Sequence, residues 1–142
     1  MKIYLAARYS RHREMVGYRE KLRAWGHEVT SRWIDGNHQV DDSGLSRLSP
    51  PEQRIQFAQE DVEDLLAADC VISFTEEPRS TNSRGGRHVE FGLGLGRGKL
   101  LIVVGPRENV FHCLPEVEVF ETWPEVARLL GVCPHARPHS NA

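Results

Sequence analysis

Two short, almost purely apolar runs constrain this chain most: residues 70–75 (CVISFT) and 99–105 (KLLIVVG). Neither alternates polar with apolar, so each reads as a strand covered on both faces, the signature of a parallel sheet with helices above and below. The rest of the sequence supplies those helices and further strands. Residues 2–7 (KIYLAA) and 28–34 (EVTSRWI) read as two earlier strands, and residues 117–121 as a fifth. Between the first two, Met15, Tyr18, Leu22 and Trp25 recur at three- and four-residue steps, an amphipathic helix over residues 11–25 that Gly26 ends. Residues 35–49 are polar and rich in turn formers, and read as an irregular flap. The run Ser49-Pro50-Pro51-Glu52 then carries a helix start, with a Ser cap, prolines where backbone N–H groups have no helical partner, and a Glu that closes a capping box. That helix is expected over residues 50–68, the next over 86–98, and a closing one after Thr122-Trp123-Pro124-Glu125, which repeats the capping pattern. The expectation is one α/β domain over residues 1–130 with helical crossovers, followed by a disordered Pro/His tail over 131–142.

In a parallel sheet of this kind ligands gather outside the carboxyl ends of the strands. Those ends carry Arg8-Tyr9-Ser10 after the first strand and residues 76–87 after the third. Gly85-Gly86-Arg87-His88-Val89-Glu90-Phe91-Gly92 follows, a glycine turn opening a helix, and it places Glu90 about one turn past the ligand-collecting edge. A carboxylate there either complements the positive end of the helix or acts on a substrate. Asp61 favours the second reading. In the helix over 50–68 the expected apolar stripe is Ile55, Ala58, Val62, Leu65 and Leu66, and Asp61 borders it, while Glu60, Glu63 and Asp64 point outward. A carboxylate at the edge of a core is costly unless paired or used, so Asp61 is expected to hold a proton easily. Asp69, just before the third strand, reads as structural.

Several function classes are excluded by what is missing. A dinucleotide fold would show G-x-G-x-x-G after the first strand, where this chain has Ala6-Ala7-Arg8-Tyr9-Ser10. Gly92, Gly94 and Gly96 lie inside a helix, where together they cost about 2–3 kcal/mol relative to alanine, so close packing on the sheet or on another subunit's helix should require them. A net charge of −2 and the lack of any dense Lys/Arg run argue against a nucleic-acid surface. No apolar run approaches the ~20 residues of a membrane span. Cys70, Cys113 and Cys133 are odd in number and form no C-x-x-C pair, which points to a reducing, cytoplasmic setting. His88 with Glu90, His112 with Cys113, and His135 with His139 lack metal-ligand spacing, so no metal and no cofactor is expected.

Taken together, Lys2-Ile3-Tyr4-Leu5-Ala6, Asp61 followed by Ala68-Asp69-Cys70-Val71-Ile72, and Gly86-Arg87-His88-Val89-Glu90-Phe91-Gly92 resemble the nucleoside 2-deoxyribosyltransferase superfamily, which includes deoxyribonucleoside 5′-monophosphate N-glycosidases and CMP hydrolases. The resemblance covers roughly residues 1–130. It implies a flavodoxin-like sheet of five parallel strands in the order 2-1-3-4-5, with Glu90 as nucleophile and Asp61 as the acid that assists departure of the base. It also implies a tyrosine near the first strand that steadies the nucleophile. Tyr4 or Tyr9 could serve; Tyr9, at the strand's end, is the expected one, and a core role is the competing explanation for Tyr4. The chemistry suits these residue types, since a carboxylate can capture the anomeric carbon while a protonated acid helps the base leave. Water or a second base then takes the sugar.

The chain also departs from the transferase pattern. Before the glycine turn, where transferases usually carry an Asp, it has Pro78-Arg79-Ser80-Thr81-Asn82-Ser83-Arg84-Gly85-Gly86-Arg87. Hydroxyls, arginines and glycine N–H groups at a helix start suit a phosphate, and the nucleotide-hydrolysing branch uses a serine near this place. Ser83, Arg84, Gly86 and Arg87 are therefore the expected substrate contacts at the 5′ end, with a 5′-monophosphate preferred over a free nucleoside. The tail ends without the Tyr expected of a transferase, which weakens transfer between free nucleosides. Asn109 is similar to the transferase asparagine contributed by a neighbouring subunit, in keeping with a homo-oligomer. Arg8, Trp33 and the flap over 35–49 are candidates for base recognition. Two other readings remain: a nucleotide-binding or sensing module without turnover, and an FMN protein, which would be yellow.

Overall fold

The computed structural model describes residues 1–36, 51–82 and 85–131. Five strands, β1 (Lys2–Ala6), β2 (Glu28–Val29), β3 (Cys70–Phe74), β4 (Leu100–Val104) and β5 (Val117–Phe120), form one sheet in the order β2-β1-β3-β4-β5 with every neighbouring pair parallel. This is the expected order. The two apolar runs become its centre: β3 is buried throughout and β4 from Leu101 onward. Among the described residues four helices cover the sheet, α1 (His12–Ala24), α2 (Pro51–Ala67), α3 (Gly86–Gly96) and α4 (Trp123–Gly131).

Aromatic packing binds α1 and α4 to one face. Tyr18 stacks on Trp123 at 4.3 Å and on Phe74 of β3 at 5.3 Å. The capping pattern that opens α4 forms as read, with Glu125 Oε1 accepting from the Thr122 backbone N–H at 3.1 Å. On the other face lie α2 and α3. Gly94 lets α3 settle onto the sheet, because a Cβ there would stand 2.9 Å from Val71 Cγ2 and 3.2 Å from Leu101 Cδ2. Gly92 and Gly96 meet nothing within 4 Å, so the sheet requires only one of the three helical glycines. Past β4, Gly105 turns with φ +119, and a Cβ there would fall 2.5 Å from Thr75 Oγ1.

Two expectations about local structure need correction. The second strand stops at Val29 instead of running to Ile34. After the Thr30 N–H bonds Ile3 O, side chains complete the edge of β1: Ser31 Oγ accepts from the Leu5 N–H at 2.7 Å and Trp33 Nε1 donates to Leu5 O at 2.9 Å. Residues Arg32–Asp35 are thereby freed to form a 3-10 turn. The inner face of α2 is also rotated from the expected stripe. Ile55 and Val62 are 58% and 44% exposed, whereas Asp64 is buried and accepts from both the Arg32 backbone N–H and Nε. That ion pair, with its backbone bond, outweighs the apolar side chains in deciding which face turns in. The Ser49-Pro50 start and the flap beyond Gly36 lie outside the described residues, as does the tail from residue 132. Asp69 is structural as read, its carboxylate accepting from the Lys2 N–H at 2.9 Å.

Candidate active site

The site is built where β1, α2 and α3 meet. Glu90 sits one turn into α3, directed toward the sheet, and its carboxylate accepts a short hydrogen bond from the Tyr4 hydroxyl on β1. Glu90 as a residue is partly exposed, but its carboxyl group lies in the interior. Burial pushes its pKa up to about 8; the Tyr4 hydrogen bond opposes that shift and the charge of Asp61 adds to it. Asp61 on α2 is partly buried and therefore acts on Glu90 across the interface between α2 and α3. Tyr4 is fully buried, and burial, followed by the charges of Glu90 and Asp61, raises its pKa well above 10. At any ordinary pH it is a hydrogen-bond donor. Two carboxylates and one proton-holding phenol thus share a single interior corner.

The tyrosine on Glu90 is Tyr4, not the expected Tyr9. β1 is a strand of the sheet that α3 packs on, so a side chain from mid-strand reaches the helix, whereas Tyr9 already lies beyond the strand in a 3-10 turn (Tyr9–Arg11). Its hydroxyl donates to Gly36 O at 3.0 Å and its ring stacks on His12 at 4.8 Å. Tyr9 therefore ties the end of β1 to the segment leading out of β2. Trp33 is 5% exposed and commits its Nε1 to Leu5 O, which makes it a core residue rather than a surface for a base. Arg8 is partly exposed at the carboxyl end of β1, as placed from sequence.

Arg87 differs more sharply from expectation. It is 4% exposed, and both terminal nitrogens bond the Glu108 carboxylate, Nη2 to Oε2 at 3.0 Å and Nη1 to Oε1 more closely. The terminal nitrogens are thus committed to Glu108, and Nε is left without a partner among the described residues. Glu108 also accepts from the Glu76 N–H at 2.9 Å, and its own N–H donates to Nδ1 of the buried His112 at 3.0 Å. Burial works against ionisation of Glu108, but the Arg87 and Glu76 hydrogen bonds win and hold its pKa below the ordinary value. Burial and the nearby Arg87 charge lower the pKa of His88, which stands 3.7 Å from Glu108. The network pins the end of β3, the start of α3 and the loop after β4 to one another. Sequence reading missed Glu108; the available signal was a lone carboxylate on the same sheet edge as the arginine-rich turn. Asn109, expected to serve a neighbouring subunit, caps the 3-10 turn Val110–Cys113 by accepting from the Phe111 N–H at 3.0 Å. Ser83 and Arg84 lie outside the described residues; Gly86 is the first residue of α3.

Among the described residues no group of three His, Cys, Asp or Glu side chains is placed to hold a metal ion, and no helix is long and apolar enough to cross a membrane. No family model matches the sequence. No curated protein matches it either. Solved structures do share its fold. The 2-deoxyribosyltransferase of the psychrotolerant bacterium Bacillus psychrosaccharolyticus superposes with a TM-score of 0.67 at 22% identity, over 89% of this chain and 90% of that one. The CMP N-glycosidase BcmB of Clostridium botulinum superposes with a TM-score of 0.60 at 18% identity, over 94% of this chain and 100% of that one. Both likenesses are of fold, and the five-stranded parallel order that the resemblance implied is the order this chain has.

Proposed function

We propose that this protein cleaves the N-glycosidic bond of a nucleoside or its 5′-monophosphate, with Glu90 attacking the anomeric carbon. The observation that carries the reading is the Tyr4-bonded interior carboxylate of Glu90, under the electrostatic influence of Asp61, at the ligand-collecting edge of this fold. Burial and the neighbouring Asp61 charge raise the proton affinity of Glu90, and in this reading the two carboxylates share one proton near neutral pH. The productive arrangement puts that proton on Asp61 and leaves Glu90 ionised, its charge held by the Tyr4 hydroxyl. Glu90 then bonds the anomeric carbon as the carbon–nitrogen bond breaks, Asp61 delivers its proton to the departing base, and a glycosyl ester of Glu90 remains. Water or a second base attacks that ester, returning the proton to the pair.

The 5′ end of the substrate is assigned to the glycine turn, where the first N–H groups of α3 and its dipole favour an anion, with Ser83 and Arg84 beside it. Arg87 contributes there indirectly by anchoring the turn to Glu108. Arg8 is the candidate for the base side. A homo-oligomer fits the exposed Ile55, Val62 and Val89 and the open Gly92 and Gly96, which share the α2 and α3 face of the molecule. The test is incubation of the purified protein with a panel of nucleosides and 5′-monophosphates, read by release of free base, with rapid-quench mass spectrometry of the Glu90 peptide. Free base together with a sugar or sugar-phosphate mass on Glu90 is the expected result. Binding without release of any base would leave a nucleotide-sensing module instead.

A further inference from the structure

One polar side chain near the site has no role in that mechanism. Ser73 of β3 is 0% exposed, and its hydroxyl has no hydrogen-bond partner among the described residues. A buried hydroxyl without a partner is unfavourable and uncommon, so its position demands an occupant or a change of state that completes it. The register of the fold locates it. Val71 faces α3, since it is the first atom group that a Cβ on Gly94 would meet. Ser73 lies two residues on, on the same face and about 6.6 Å nearer the carboxyl end of the strand. α3 returns over the sheet between the parallel β3 and β4, so one turn back from Gly94, about 6 Å, leads in the same direction and brings Glu90 above Ser73. On β1 the Cα of Tyr4 pairs with Val71 and that of Ala6 with Ser73, so the phenol that reaches Glu90 and the serine beneath it flank one spot.

An ionised carboxylate has room for about four hydrogen bonds, and Tyr4 supplies one. We propose that the Ser73 hydroxyl is the second donor to Glu90, engaged when that side chain is ionised, and that it positions the attacking oxygen; this rests on the reading of Glu90 as the nucleophile. The other groups facing Glu90 are accounted for. Tyr4 comes from β1, and α2 brings Asp61, with Arg54 two turns before it and Asp64 held by Arg32. Arg87 and His88 on α3 are turned to Glu108, β4 carries no titratable side chain, and Cys70 of β3 lies on the opposite face from Ser73.

The test follows Glu90 directly, by carboxyl carbon NMR titration of the full chain as wild type, Ser73→Ala and Ser73→Cys. Loss of a hydrogen bond to a charged group raises the Glu90 midpoint by about one to two pH units in Ser73→Ala. The rise is smaller in Ser73→Cys, whose thiol is a weaker donor of similar size. In the same variants the rising limb of kcat/KM against pH moves by the same amount, while KM changes less than twofold. A midpoint that stays put or falls in both variants overturns the proposal, and if Ser73→Ala does not fold, Ser73→Cys decides alone. The two readings fail separately: a shifted midpoint in a protein that releases no base leaves Ser73 standing without the glycosidase, and base release with an unmoved midpoint does the reverse.

Discussion

Replacing Glu90 with glutamine should make the protein more stable and inactive, and the size of the stabilisation is set by pH. Glutamine keeps the shape and still accepts from the Tyr4 hydroxyl, but it carries no charge to bury. In the native protein the Glu90 pKa is raised from 4.5 to about 8, with burial as the chief cause. A raised folded-state pKa means that the native state holds a proton the unfolded chain has released. The stabilising contribution is therefore complete below pH 4.5, declines as pH rises, and is gone above about 8. Each unit corresponds to about 1.4 kcal/mol, so relative to glutamine the wild type forfeits about 3 kcal/mol by pH 7 and about 5 kcal/mol by pH 8 and above. Urea unfolding of both proteins at pH 5, 7 and 9 measures this. The difference should open by about 1.4 kcal/mol per pH unit between pH 5 and 8 and then level off. A constant difference across that range, or a glutamine variant that is the less stable at pH 7, would show that Glu90 is not held protonated inside the fold.

Tyr4→Phe should move the rising limb of kcat/KM to higher pH by about one to two units, since the lost hydrogen bond holds the Glu90 pKa down against burial and the Asp61 charge. Asp61→Asn should move the same limb the other way by removing a charge that raises Glu90, while slowing release most for the bases that leave least readily; equal slowing across good and poor leaving bases would remove the acid role. Arg87→Ala leaves the Glu108 carboxylate buried without its partner, and should cost about 3–5 kcal/mol in thermal or urea unfolding and lower turnover of nucleosides and nucleotides alike. Gly94→Ala should destabilise by about 1–3 kcal/mol through its contact with Val71, whereas Gly92→Ala leaves monomer stability unchanged or up to about 1 kcal/mol higher; a lost oligomer in Gly92→Ala, read by sedimentation, would place a second subunit on that face.

The sheet was legible because its central strands are apolar on both faces, which few other architectures demand. The β3 and β4 runs, the glycine turn before α3 and the Thr122–Glu125 cap each carry a local signal that agrees with the global arrangement. The errors fall where a side chain replaces a backbone partner. The residues after Val29 have strand composition, yet Ser31 and Trp33 bond the backbone of β1 with side-chain atoms and the ladder ends. The periodicity of α2 pointed Ile55 and Val62 inward, yet Arg32, 32 residues before Asp64, draws that acid in instead. Such a pairing depends on two distant segments meeting, and no window of sequence contains both.

The same limit shaped the site. Glu90 and Asp61 could be singled out because each bends a local rule, one as an acid just past a glycine turn and the other as an acid beside a core stripe. The choice between Tyr4 and Tyr9 bent none. Strand-end position favoured Tyr9, but a tyrosine in mid-strand reaches about 6.5 Å from its backbone, roughly two strand residues, so it can serve the carboxyl edge from below. The partner of Arg87 was hidden for a related reason: composition marks a turn as basic without saying which charges are already matched. Glu108 comes from the loop after β4 and meets Arg87 only because β3 and β4 are neighbours. The basic turn that met the eye as a phosphate cradle is thus partly neutralised from within. The contacts proposed for an anion there are backbone N–H groups, Ser83 and Arg84, so the selectivity for a 5′-phosphate, read as kcat/KM for nucleotide against nucleoside, should fall further in Arg84→Ala than in Arg87→Ala.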